Sequence, residues 1–140
     1  MKSVIIGLLF FISFKPVAMS QNLPALNDVW HDKVSHNTSI AIFNNIYPAA
    51  NIYVNDIHFL VAVDVKNGNI VKGIQTTDTA FSIHSEKIIG RRLDSFKSKG
   101  KLISGAGYYV PLTDGWYARF DFKNTSGSSK CTNVIKYKIN

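Results

Sequence analysis

The sequence predicts an all-β protein, a compact antiparallel β-sandwich of about seven to eight short strands, and three observations carry that prediction. Apolar and polar residues alternate with a period of two over short runs. Turn residues recur at intervals of roughly ten positions between those runs. The dipeptide Asn67-Gly68 sits between two such runs, and both residues tolerate the positive φ that a tight type I′ hairpin demands.

The elements follow in order. After a short polar leader containing Trp30, the run SIAIFNNI reads as a strand. The clearest alternation places Ile57, Phe59, Val61, Val63 and Val65 on one face and His58, Leu60, Ala62 and Asp64 on the other. Asn67-Gly68 turns the chain and NIVKGIQ returns it. TAFSIH, GYYVPL, GWYARFDF and NVIKYKI continue the pattern; in the last, Ile135, Tyr137 and Ile139 share a face opposite Lys136 and Lys138. Between them, SEKIIGRRLDSF reads as a single helical turn or an irregular crossing, because Gly90 opposes a longer helix.

The opening MKSVIIGLLFFISFKPVAMS has the pattern of a cleaved secretory signal over residues 1–20, with an apolar run too short to span a bilayer. Residues 21–140 then form one domain, with a single core and no membrane insertion. Removing Lys2 and Lys15 with the leader takes the formal charge from +7 to +5. Such a surface favours acidic partners, and nothing in it is patterned for nucleic acid. Cys131 stands alone, which excludes an internal disulfide and a cysteine-based metal site; export without disulfides suits a bacterial periplasm at least as well as a eukaryotic secretory route. A homodimer bridged by Cys131 is left open.

No enzymatic constellation emerges. His31, His36, His58 and His84 are scattered, with no pair at metal-ligand spacing, and Asp28, Asp32, Asp56 and Asp64 suit turns and strand edges. The glycine-rich SGAG lacks the Lys and following helix of a phosphate loop. The sequence therefore predicts no catalysis, no cofactor and no metal.

The candidate site is a surface for a partner. Lys87, Arg91, Arg92, Lys97, Lys99 and Lys101 crowd upstream of SGAGYY, opposed by Glu86 and Asp94. Arg can hold a carboxylate bidentately, Ser and Tyr hydroxyls can donate to it, and tyrosine rings supply contact area at low entropic cost. Ser104, Gly105, Gly107, Tyr108 and Tyr109, with Arg91, Arg92, Lys97, Lys99 and Lys101, are the predicted partner-binding residues. A solvated charge run beside an ordinary turn is the competing interpretation.

Ser104 to Tyr108, SGAGY, resembles the SGxxY loop of periplasmic lysozyme inhibitors. GYYVPLTDGWYARFDF, a polar loop and then NVIKYKI are similar to the C-terminal arrangement of the periplasmic inhibitor of goose-type lysozyme, and NDIHFLVAVDVKNGNIVKGIQTTDTAF to its upstream strands. The resemblance runs in order from Asn55 to Asn140 at low identity. It implies a β-sandwich that plugs the active-site cleft of a muramidase, either a lysozyme or a pesticin-type bacteriocin met by its immunity protein. Ser104 and Tyr108 match the loop, with Gly105 and Gly107 letting the backbone approach its target. Tyr117 matches a family tyrosine, but here Trp116, Ala118, Phe120 and Phe122 form the apolar face, so either a bulge shifts the phase or Tyr117 points outward. The alternative from composition is an exported binding or structural module, such as a toxin subunit, an adhesin or a pilus component, with glycan as a ligand.

Overall fold

The computed structural model of the chain describes residues 22–103, 107–121 and 126–138. The expected signal peptide over residues 1–20, together with Phe122 and Ile139, lies outside them. The regular structure of the described chain is nearly all strand: β1 (Ser35–Ile42), β2 (Asn45–Val54), β3 (Ile57–Asp64), β4 (Ile70–Thr76), β5 (Ser82–Ile83), β6 (Glu86–Lys87), β7 (Lys101–Ile103), β8 (Gly107–Pro111), β9 (Trp116–Phe120) and β10 (Asn133–Tyr137). Two single 3₁₀ turns, Val65–Asn67 and Leu93–Ser95, supply the helical content, the second within the segment read as a helical turn or an irregular crossing.

Eight strands form one continuous sheet in the order β1-β2-β3-β4-β10-β9-β8-β7, with every neighbouring pair antiparallel; β5 and β6 form a separate hairpin. The layering comes from this sheet curling on itself. Ile42, at the end of edge strand β1, reaches Gly73 in β4, where a Cβ would lie 2.5 Å from its Cδ1. The next residue, Phe43, packs edge-on against Tyr137 of β10 at 5.0 Å between centroids.

Both faces are covered. On one, Phe59, Val61, Val63, Val71, Ile74, Val110, Trp116, Ala118, Phe120 and Val134 form the larger core beneath Leu23, Leu26 and Trp30 of the N-terminal segment, Phe81 before β5, and Ile88, Leu93 and Phe96 of the crossing segment. On the other, Ile40, Ile42, Ala49, Ala62, Tyr109, Ile135 and Tyr137 pack together. Each large apolar side chain removed from water in these layers contributes about 1.5–3 kcal/mol. The N-terminal segment also completes the sheet where β10 ends: Asn27 donates to the Val71 carbonyl (2.9 Å), Val71 to Asp28 (2.9 Å) and Trp30 to Asn69 (2.7 Å).

Several expectations change at the turns. SIAIFNNI is not one strand: β1 ends at Ile42, and Phe43-Asn44 turns the chain into β2, which the sequence reading left unassigned. The hairpin around Asn67-Gly68 is present, but not as a type I′ turn. Val65 starts the 3₁₀ turn and is exposed instead of continuing the apolar face, and the positive φ values fall on Gly68 (89°) and Asn69 (58°). Tight two-residue turns with both φ positive are at Asn55 (51°) and Asp56 (64°), joining β2 to β3 through the pair Val54↔Ile57, and at His84 (48°) and Ser85 (66°), joining β5 to β6 through Ile83↔Glu86. TAFSIH contributes only the two residues of β5.

Pairing through β8, β9 and β10 is regular, so no bulge shifts the phase at Tyr117. Its side chain leaves the larger core and stacks on Tyr137 (5.0 Å, 27°) in the second layer. The one-residue offset from Trp116, Ala118 and Phe120 follows from ordinary strand alternation in a sheet whose two faces are both apolar.

Candidate functional site

Two of the ten predicted contact residues, Ser104 and Gly105, lie outside the described residues. Gly107 opens β8 with φ +117°, and a Cβ there would sit 2.8 Å from the Phe120 carbonyl oxygen, so backbone conformation and space both require glycine. Tyr108 pairs with Leu102 on one side and Phe120 on the other. Its ring is half-buried, lies against Gly100, where a Cβ would collide with it, and meets the Phe120 ring at 6.5 Å.

Tyr109 faces the other way. It is 3 % exposed, between Tyr117 (6.3 Å) and Tyr137 (5.8 Å), with the Arg119 guanidinium 5.9 Å from its ring centroid. Burial raises its phenol above the ordinary value of 10.0, against the opposing pull of Arg119. Tyr109 is therefore packing in the second layer and not a surface contact, because successive residues of β8 alternate between faces.

The basic residues divide by partner. Arg91 bridges Glu86 at 3.2 Å, donates to the Ser95 hydroxyl (3.2 Å) and carbonyl (3.0 Å), and lies 4.3 Å over Phe96. It holds the crossing segment together. Arg92 grips Asp94 with two nitrogens, at 3.1 and 2.6 Å. Lys97, Lys99 and Lys101 are exposed, and among the described residues no carboxylate pairs with them. Lys101 lies on β7, the edge strand at one end of the sheet, opposite Tyr109. The two arginines thus serve the fold, and the three lysines remain as the outward-facing charge.

Beside this edge runs a groove lined by Ile83, Ile88, Phe96, Lys97, Pro111 and Leu112, among others. The charge is legible in the sequence but β7 is not, because it opens on the last lysine of the basic run, Lys101, and is only three residues long. Its signal for the arginines was available, since Glu86 and Asp94 are the carboxylates that stand in that run. Among the described residues no group of three His, Cys, Asp or Glu side chains could hold a metal ion, and no helix is long and apolar enough to cross a membrane. Comparison with protein-family models, with curated proteins and with solved structures finds no match to this chain.

Proposed function

We propose that this chain is an exported, non-catalytic inhibitor of a peptidoglycan-cleaving muramidase, acting in the periplasm either against a lysozyme or as the immunity protein to a muramidase-type bacteriocin. The contact surface is the cationic edge of Lys97, Lys99 and Lys101 with the turn from Ser104 to Tyr108. One observation supports the reading above the others: Lys97, Lys99 and Lys101 are exposed on β7 and the segment leading into it, and no carboxylate among the described residues pairs with them. A muramidase works through a carboxylic acid of raised pKa beside a second carboxylate in a long cleft, so its mouth is negative. Exposed lysines steer the approach, and hydroxyl and backbone groups of the turn supply desolvated hydrogen bonds inside the cleft. Tyr109 has no part in that contact, and Tyr108 offers its hydroxyl while its ring serves the core.

The test is turbidity clearance of cell-wall suspensions by goose-type, chicken-type, phage-type and pesticin-type muramidases, with and without the protein. Stoichiometric inhibition of at least one class is expected. Full lysis by all four in the presence of excess protein would refute the proposal.

A further inference from the structure

Away from the cationic edge, the β1–β2 turn meets β4, the end of β10 and the segment around Asn27 at a groove of about 430 Å³, lined by Leu26, Asn27, Ile42, Phe43, Asn45, Tyr47, Val71, Lys72 and Lys138. We propose that this groove is a binding site for a carboxylate-bearing saccharide. The inference is independent of the muramidase proposal, because none of its residues belongs to the β7 edge.

Three features of the backbone converge here. Pairing of β3 with β4 runs Ala62↔Gly73 and then Val63↔Val71, which leaves Lys72 as the extra residue of a β-bulge. A bulge redirects one side chain out of the strand's alternation, and such features concentrate beside functional sites. Phe43 holds φ +52°, a conformation that costs a bulky residue about 1–3 kcal/mol and persists only where the surroundings enforce it. Asn27, where the N-terminal segment crosses to pair with Val71, also has positive φ (71°). Edge-on to the Phe43 ring lies Tyr137, whose buried hydroxyl has no hydrogen-bond partner among the described residues.

The lining chemistry selects the ligand. Lys72 and Lys138 carry positive charge, no Asp or Glu lines the groove, and neither lysine has an ion-pair partner among the described residues. The side-chain amides of Asn27 and Asn45 can each donate to and accept from hydroxyls. Phe43 and Tyr47 give aromatic surface for the C–H face of a sugar ring. A neutral glycan would leave two lysines without a counter-charge, and a bare inorganic anion would leave the aromatic rings and amides unused.

The experiment is a two-dimensional NMR titration of the full protein with a muramic-acid-containing disaccharide, an oligogalacturonate, the neutral N-acetylglucosamine disaccharide and inorganic phosphate. Shifts centred on Asn27, Phe43, Asn45 and Lys72 are expected with at least one acidic sugar. The neutral disaccharide and phosphate should bind at least tenfold more weakly. Lys72→Gln with Lys138→Gln should weaken acidic-sugar binding at least tenfold while thermal unfolding and any muramidase inhibition stay unchanged. The proposal is overturned if neither acidic sugar shifts these amides, if the neutral sugar or phosphate binds as well as the acidic ones, or if the double variant binds normally.

Discussion

At Gly107 the backbone enters β8 in a conformation that L side chains rarely adopt, close to the Phe120 carbonyl. Gly107→Ala is expected to cost about 2 kcal/mol, because strain and the close approach add; urea unfolding reads this directly, and an unchanged midpoint would contradict it. Tyr108 and Tyr109 separate for the reason that governs any strand: one packs toward Phe120, the next toward Tyr137. Tyr108→Ala would therefore lose about 2 kcal/mol of core packing and confound a binding assay. Tyr108→Phe keeps the ring and removes the hydroxyl, so it should fold normally and weaken only the complex. Cys131 is buried and unpaired, and burial pushes its thiol up to about 11 from an ordinary 9.0, more than the hydrogen bonds and Arg91 offset. The folded state holds this proton more tightly than the unfolded chain does. The contribution is complete below pH 9.0 and is lost as pH climbs toward about 11. Cys131→Ala should flatten the fall in thermal midpoint across that window, and the native thiol should resist alkylation and form no bridge between copies.

Where β4 hands over to the crossing segment, one polar corner fixes the path. The buried Thr76 hydroxyl donates to the His58 carbonyl (2.7 Å) and accepts from the Asp78 amide (3.0 Å). Asp78 in turn accepts from the Ala80 amide (2.9 Å) and the His58 amide (3.2 Å). The Ala80 bond first, and the His58 bond second, hold its carboxyl below the ordinary 3.8. A depressed carboxyl stabilises the fold above its unfolded value and loses that contribution as pH falls through the folded one. Asp78→Asn should thus lower the thermal midpoint at pH 7, with the difference from the unmutated protein shrinking below pH 3.8; a pH-independent difference would contradict this assignment. Elements differed in how plainly the sequence announced them. β3, β9 and β10 carry clean alternation, and β4 follows the turn signal at Asn67-Gly68; all four appear where expected. β2 was hidden because Pro48, Ala49, Ala50 and Asn51 give little contrast between its faces, although Ala49 and Ala50 are buried on opposite sides. β7 was hidden because its register depends on pairing with β8, which no local pattern records.

For the whole molecule, the all-β antiparallel class was legible from short strands and turn residues, whereas the curl that brings Ile42 onto Gly73 was not. That curl depends on contacts between residues 31 positions apart, and only the absence of a side chain at Gly73 hints at it. It also sets the charge layout: the sheet's two ends are β1 and β7, and the exposed lysines at the β7 end, which have no ion-pair partner among the described residues, stand apart from the groove under the β1–β2 turn. Steering by such charge is long-ranged and screened by salt, with a Debye length of about 10 Å at 0.1 M. The most direct measurement is muramidase inhibition by Lys97→Glu/Lys99→Glu/Lys101→Glu, compared with the unmutated protein at low and high salt. The account predicts at least tenfold weaker inhibition at low salt, a much smaller gap at high salt, and an unaltered thermal midpoint. Equal inhibition by the two proteins at low salt would contradict it.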